Sequence, residues 1–320
     1  MPSDTSRLMG RRGLLTGGAA LAAGGALSAA GATPARAESS PTPAADPYLP
    51  TLPHQIEAEQ MVDYLRTLPI DPKDENPANK YKLAGDTRTT VLNWGRPGVV
   101  AEYRALAQCS TFVTKTLMRA YGEDVPGGWA TDAYFRQNFF PNAPTGGGKW
   151  APSAEEFQAG FKRAADILNI QQVTKPVNLR PGDLVAIDYN EPDSPYTGHI
   201  VMIREAKGVF RNSVVDAKLG ANVTPRIFEV IDCTHVPHGD PEDGTLATYE
   251  AFPDTRRRPT VDASGNVTGW VSGTGVGYGH MIFYSDNTTG LFAGYRWSVN
   301  SPTPHPVSAR PISAGRVYLG

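Results

Sequence analysis

A chain of 320 residues, 40% hydrophobic and 19% charged, has the make-up of a folded protein rather than a disordered one, with room for one large domain or two small ones. Its net charge of −2, from 30 basic and 32 acidic residues, gives nucleic acid or an anionic membrane no electrostatic hold. With 33 Gly and 28 Pro, loops and short strands are expected in place of long helices.

The first 37 residues read as an export signal. Arg11-Arg12-Gly13-Leu14-Leu15 is a twin-arginine signature, a weakly apolar Gly/Ala run extends from Gly17 to Ala32, and Ala35-Arg36-Ala37 closes it as a small-x-small cleavage site. The run is too weakly apolar for a membrane anchor, so no integral membrane segment is expected once the signal is removed. Residues 38–85 read as a Pro-rich tether followed by a helical extension. Ile56, Met61, Val62, Leu65 and Leu68 fall at near-helical spacing over Gln55–Leu68, and Pro69 ends the run.

Residues 86–320 are expected to form the main domain. Phe112, Val113, Leu117, Met118 and Tyr121 share one face of a helix over Cys109–Tyr121, with Gly122 as its stop. Ser153 and Glu156 form a capping box ahead of an amphipathic helix reaching about Asn169. After Pro176 the texture changes to short runs rich in Val, Ile, Phe and Tyr: 183–188, 199–204, 227–233, 280–285 and 291–297. They read as strands, antiparallel or in a meander, separated by long loops at 207–224 and 235–279. Helices first and strands after predict an α+β fold, with the N-terminal helices packed on an antiparallel sheet.

The chemistry concentrates on Cys109 and His199. A thiol at a helix start lies where the helix dipole favours a thiolate and where free backbone N–H groups could hold an oxyanion. A histidine opening a strand, as in Gly198-His199-Ile200-Val201, could take and return the proton. Asp232, in the next strand, is the candidate to orient the imidazole, with His235 as its competitor. Strand alternation then points Cys233 to the opposite face, away from the site. Export leaves a Cys109–Cys233 disulfide open as a purely structural reading.

The succession of Gln108-Cys109-Ser110-Thr111-Phe112-Val113, then Pro181-Gly182-Asp183-Leu184, then Gly198-His199 resembles the NlpC/P60-type branch of papain-like cysteine hydrolases. The resemblance spans roughly Tyr103 to Thr234. It implies a papain-like fold and hydrolysis of a peptide or amide bond, commonly in peptidoglycan stem peptides, at the cell envelope or outside the cell. It makes Cys109, His199 and Asp232 the catalytic residues, and it implies no cofactor. Family members often carry Asp immediately before the nucleophile, where it can hold a substrate amine; Gln108 cannot do so as a charge.

Other features have plainer readings. Asp232, Cys233, His235, His238, Asp240 and Asp243 crowd potential metal ligands together, but in no standard spacing, and read as a polar loop. Gly273–Gly279 has the glycines of a phosphate loop but opens a strand; it reads as backbone freedom near a groove, with Tyr278 and His280 able to touch substrate. Arg256-Arg257-Arg258 reads as a solvated loop, and Tyr103 as a possible oxyanion contact. Three alternatives stay open: an acyltransferase or deamidase using the same thiol, a non-catalytic envelope-binding module on the same scaffold, and a metal-dependent hydrolase centred on His235, His238 and Asp240.

Overall fold

The computed structural model describes residues 51–70, 78–143, 148–239 and 246–318. The expected export signal, most of the tether, Asp240 and Asp243 lie outside them.

The fold is α+β. Helix α1 (Pro53–Leu65) is followed by strands β1 (Asn79–Tyr81), β2 (Val91–Asn93) and β3 (Arg104–Ala107), which form a small sheet in the order β1-β3-β2. Helices α2 (Cys109–Tyr121), α3 (Asp132–Phe139) and α4 (Ala154–Lys162) come next. The strands β4 (Ile170–Val173), β5 (Leu184–Asp188), β6 (Gly198–Val209) and β7 (Val223–Thr234) then begin the main sheet, with the short helix α5 (Ser213–Asp216) between the last two. Helix α6 (Leu246–Ala251) and a hairpin of β8 (Arg257–Val261) and β9 (Val267–Ser272) precede β10 (Gly275–Asp286), β11 (Phe292–Arg296), β12 (Pro304–Pro306) and β13 (Ile312–Val317). The main sheet has eight strands in the order β12-β11-β10-β7-β6-β5-β13-β4, every neighbouring pair antiparallel.

Alternation along the central strands divides the core. Ile200, Met202 and Ile231 face the helices, where they meet Phe112, Val113, Phe157 and Phe161; Val201, Ile203 and Val230 face the other side with Phe283 and Tyr295. Burying each of these large side chains contributes about 1.5–3 kcal/mol. Helix α1 adds Ala58, Met61, Val62 and Leu65 to the helix-side core, and β1 adds Tyr81. Packing therefore draws no division at residue 85, and the helical extension is built into the same core as the main domain.

The β6, β7 and β10 strands are each 12 residues long, about twice their predicted apolar runs, because ladder bonds continue through the polar ends. The expected loop at 207–224 is thus partly strand, and that at 235–279 contains α6 and the β8–β9 hairpin. Helix α4 has its predicted capping box but stops at Lys162, where a 3-10 turn over Ala164–Asp166 tightens the chain. Leu168, expected on the apolar face, is 77% exposed.

Candidate active site

The extended backbone of Gln108 turns β3 into α2 and leaves Cys109 at the first helical position. The Gln108 N–H donates to Thr111 Oγ1 at 2.9 Å, so the residue side chain that follows one turn later holds the helix entrance. Cys109 is nearly buried and lines a cleft of about 230 Å³ with Tyr81, Gln108, Pro152, Tyr196 and Gly198. First-turn N–H groups of α2 stand where a helix leaves donors without intrahelical partners.

His199 reaches this point from β6, whose register pairs it with Ile187 on β5. Gly198 makes the approach possible: a Cβ there would stand 2.0 Å from the Ile187 carbonyl oxygen. The His199 Nε2–H donates to Asp232 Oδ2 at 2.7 Å, which leaves Nδ1 for the Cys109 thiol beside it. Burial opposes charge on the ring, but the neighbouring Cys109 sulfur, and then the bond to Asp232, outweigh burial and push His199 up to about 9.

Asp232 is fully buried and accepts from three side chains. Oδ2 takes the Nε2–H groups of His199 and, at 3.0 Å, His238; Oδ1 takes Arg256 Nη1 at 2.7 Å. Burial alone would raise this carboxyl; the guanidinium of Arg256 and then His238 hold it well below the usual carboxylate range. His238 in turn donates through Nδ1 to the Trp297 carbonyl at 2.8 Å, and its backbone N–H donates to Asp254 Oδ2 at 2.7 Å. Asp254 grips Arg256 through Nε at 2.9 Å and Nη2 at 2.8 Å. The Trp297 ring covers both imidazoles, its centre 4.9 Å from that of His199 and 4.3 Å from that of His238.

A strip of glycine on β10 makes room for this network. Gly277 pairs with Asp232, and a Cβ on it would meet Arg256 Nε at 2.8 Å. At Gly279 a Cβ would meet His238 Cδ2 at 2.5 Å and Asp254 Oδ2 at 2.7 Å. Gly277 and Gly279 thus serve close packing on a strand, whereas Gly275, at φ +99°, uses a backbone freedom particular to glycine beside a cleft lined by Gly273 and Val276.

Of the residues singled out from sequence, Cys109, His199 and Asp232 are brought together. Others are placed differently from expectation. His235 is exposed and lies by the Tyr81 ring, 6.2 Å between centres, instead of by His199. Tyr103 is buried and stacked on Tyr64 at 4.1 Å, outside the cleft; Tyr81 occupies the position beside the thiol. Arg256 is buried at the heart of the site instead of in a solvated loop, because two carboxylates repay its desolvation. Tyr278 and His280 are also buried: the Tyr278 hydroxyl donates to Asp63 Oδ1 at 3.1 Å, and His280 Nδ1 to the Pro253 carbonyl at 3.1 Å. Both cysteines are free thiols, which removes the disulfide. Cys233 does alternate with Asp232, but this places it in the helix-side core with Cys109, where its S–H donates to the Ala107 carbonyl at 3.2 Å. Burial pushes that thiol well up.

His238, Asp254, Arg256 and Trp297 went unrecognised as a unit because they come from separate segments. A usable signal was Gly277-x-Gly279 in an apolar strand, since glycine there marks close approach of other atoms. One metal-like set exists among the described residues: ligand atoms of His199, Asp232 and His238 lie within 4.8 Å of one another. These atoms already satisfy one another, and Arg256 brings a fixed positive charge to Asp232, a poor setting for a cation. Comparison of the chain with family models, curated proteins and solved structures returns no match.

Proposed function

We propose that the protein is an exported cysteine hydrolase of papain-like NlpC/P60 type that cleaves peptide or amide bonds, with peptidoglycan stem peptides or another envelope amide as substrate. The observation that carries this reading is the His199 Nε2–H bond to a buried carboxylate, which turns Nδ1 to a thiol at a helix N-terminus. Under it, His199 takes the Sγ proton and the thiolate attacks the carbonyl carbon. First-turn N–H groups of α2 hold the oxyanion. The intermediate collapses, the C–N bond breaks, and His199 returns the proton to the departing amine, leaving a thioester on Cys109. Water, giving its proton to His199, then attacks the thioester carbonyl; the acid departs, and His199 returns the proton to the sulfur. Asp232 holds the ring in the required tautomer throughout.

The test is mass spectrometry of purified peptidoglycan treated with the mature enzyme, with Cys109→Ala and with enzyme in excess EDTA. New amine and carboxyl termini released by wild type and by the EDTA sample, but not by Cys109→Ala, are expected. Loss of cleavage in EDTA with full activity of Cys109→Ala would overturn this reading.

A further inference from the structure

The site is a buried charge cluster assembled from separate elements. Cys109 comes from α2, His199 from β6, Asp232 from β7, His238 from the segment after it, and Asp254 and Arg256 from the approach to β8. Tyr189, after β5, and Cys233 also face the Asp232 charge. Arg256 is a cation at any working pH. Both ring nitrogens of His238 face acceptor oxygens, Trp297 O and Asp232 Oδ2. Arg256 is the fixed cation set against the carboxylates of both Asp232 and Asp254. Buried as these groups are, an uncompensated charge among them is strongly penalised.

We infer that Arg256 is a positioning residue for the Cys109–His199 pair: gripped by Asp254, it pins Oδ1 of Asp232, keeps Oδ2 aimed at His199 Nε2, and holds a fixed positive charge beside the pair. This rests on the reading of Cys109 as the nucleophile. The guanidinium shape is used in full, since Nε and Nη2 grip Asp254 while Nη1 reaches Asp232. Gly277 leaves the side chain its path, since a Cβ there would stand 2.8 Å from Arg256 Nε.

The experiment is the pH profile, from 5 to 10, of Cys109 alkylation by iodoacetamide. In this reaction the thiolate sulfur bonds to the CH₂ carbon and iodide leaves. Wild type, Arg256→Gln, Arg256→Lys and Arg257→Gln are compared, with folding checked by thermal melting. Arg257 lies on the same hairpin, bonded to the Gly239 carbonyl and set over Trp270, and serves as the control for local disruption. In wild type, rapid alkylation below pH 7 is expected. Arg256→Gln is expected to slow it at least tenfold at pH 6 and move its onset up by about one pH unit. Arg256→Lys, which keeps the charge, and Arg257→Gln are expected to retain the wild-type onset. An unchanged profile in Arg256→Gln, or an equal shift in Arg257→Gln, overturns the role of Arg256 alone. Slow alkylation of the wild type below pH 7 overturns the nucleophile reading and this inference with it. Should Arg256→Gln fail to fold, Arg256→Met, which keeps much of the side chain's length without its charge, takes its place; an upward shift in it supports the inference, and a wild-type onset overturns it.

Discussion

Asp232 and the groups around it set the sharpest expectations at the scale of single residues. Asp232→Asn would present an amide to His199, His238 and Arg256, losing the charge that all three donors share. Turnover on a peptide substrate is expected to fall by about 10²–10⁴, since loss of an orienting acid has this order of effect in a serine triad. His199→Ala should fall further, because the general base itself goes. His235→Ala should stay within about threefold of wild type, as its ring is exposed and bonded to none of the three. Steady-state kinetics on one substrate, with circular dichroism of each variant, checks the series; a dead His235→Ala beside a near-normal Asp232→Asn would reverse the assignment. Cys109 and His199 were legible in short motifs with their own chemical logic; Asp232 was one of two candidates, with His235 the other, until the fold set it against His199. Arg256 was not legible: a run of three arginines reads as solvated until the carboxylates that neutralise one of them are placed beside it.

Glycines on the strands decide whether the elements can meet. Gly198 lets β6 lie close enough to β5 for His199 to enter the site, and Gly279 lets the His238–Asp254 contact lie flat on β10. Gly198→Ala would force a methyl group to within 2.0 Å of the Ile187 carbonyl oxygen, a backbone atom that cannot rotate away. Gly279→Ala would push on both His238 and Asp254. Each is expected to cost about 1–3 kcal/mol, the usual range for overpacking, and to lower activity along with stability. Chemical denaturation with parallel assays would show it; wild-type stability in Gly279→Ala would contradict the packing described for β10. Helix α2 shows the opposite case, since its predicted bounds are its actual bounds. Its apolar spacing and its start beside Gln108 are local properties, and local properties survive folding unchanged.

Across the whole molecule, buried histidines dictate how stability varies with pH. His199 is raised to about 9, so its contribution is complete below the unfolded value near 6.5 and is lost as pH climbs through about 9. His54 and His280 are both pushed down to about 4, chiefly by burial. Their contributions are complete above 6.5 and are lost as pH falls toward 4, because the unfolded chain takes up protons that the folded one refuses. Asp232, depressed in the fold, contributes above its ordinary value near 4 and loses that contribution in stronger acid. Thermal stability is therefore expected to peak near pH 6.5 and to fall on both sides, as scanning calorimetry can measure. His54 accepts from the Tyr121 hydroxyl and donates to the Gly182 carbonyl, both at 2.8 Å, tying α1 to α2 and to the turn ahead of β5. His54→Gln should flatten the acid limb; an unaltered limb would contradict a neutral, buried His54. Export is a separate matter of the whole chain: Arg11→Lys with Arg12→Lys is expected to hold the precursor in the cytoplasm, read by cell fractionation.

From the amino-acid order alone came the α+β class, the central helix, the positions of the inner strands, and Cys109 and His199, with Asp232, as the residues proposed for the site. Each follows from periodicity, capping or motif over a few neighbouring residues. The rest waited on the tertiary structure. Where β6, β7 and β10 end depends on ladder partners far apart in sequence, as for Gly275 and Thr234, 41 positions apart, or Asp286 and Val223, 63 positions apart, at either end of one pairing. Arg256 became part of the site for a like reason. Whether a guanidinium sits in water or in the interior is decided by the total charge and hydrogen bonding around it, and here that surrounding is assembled from β7, the segment behind it and a strip of glycine on β10.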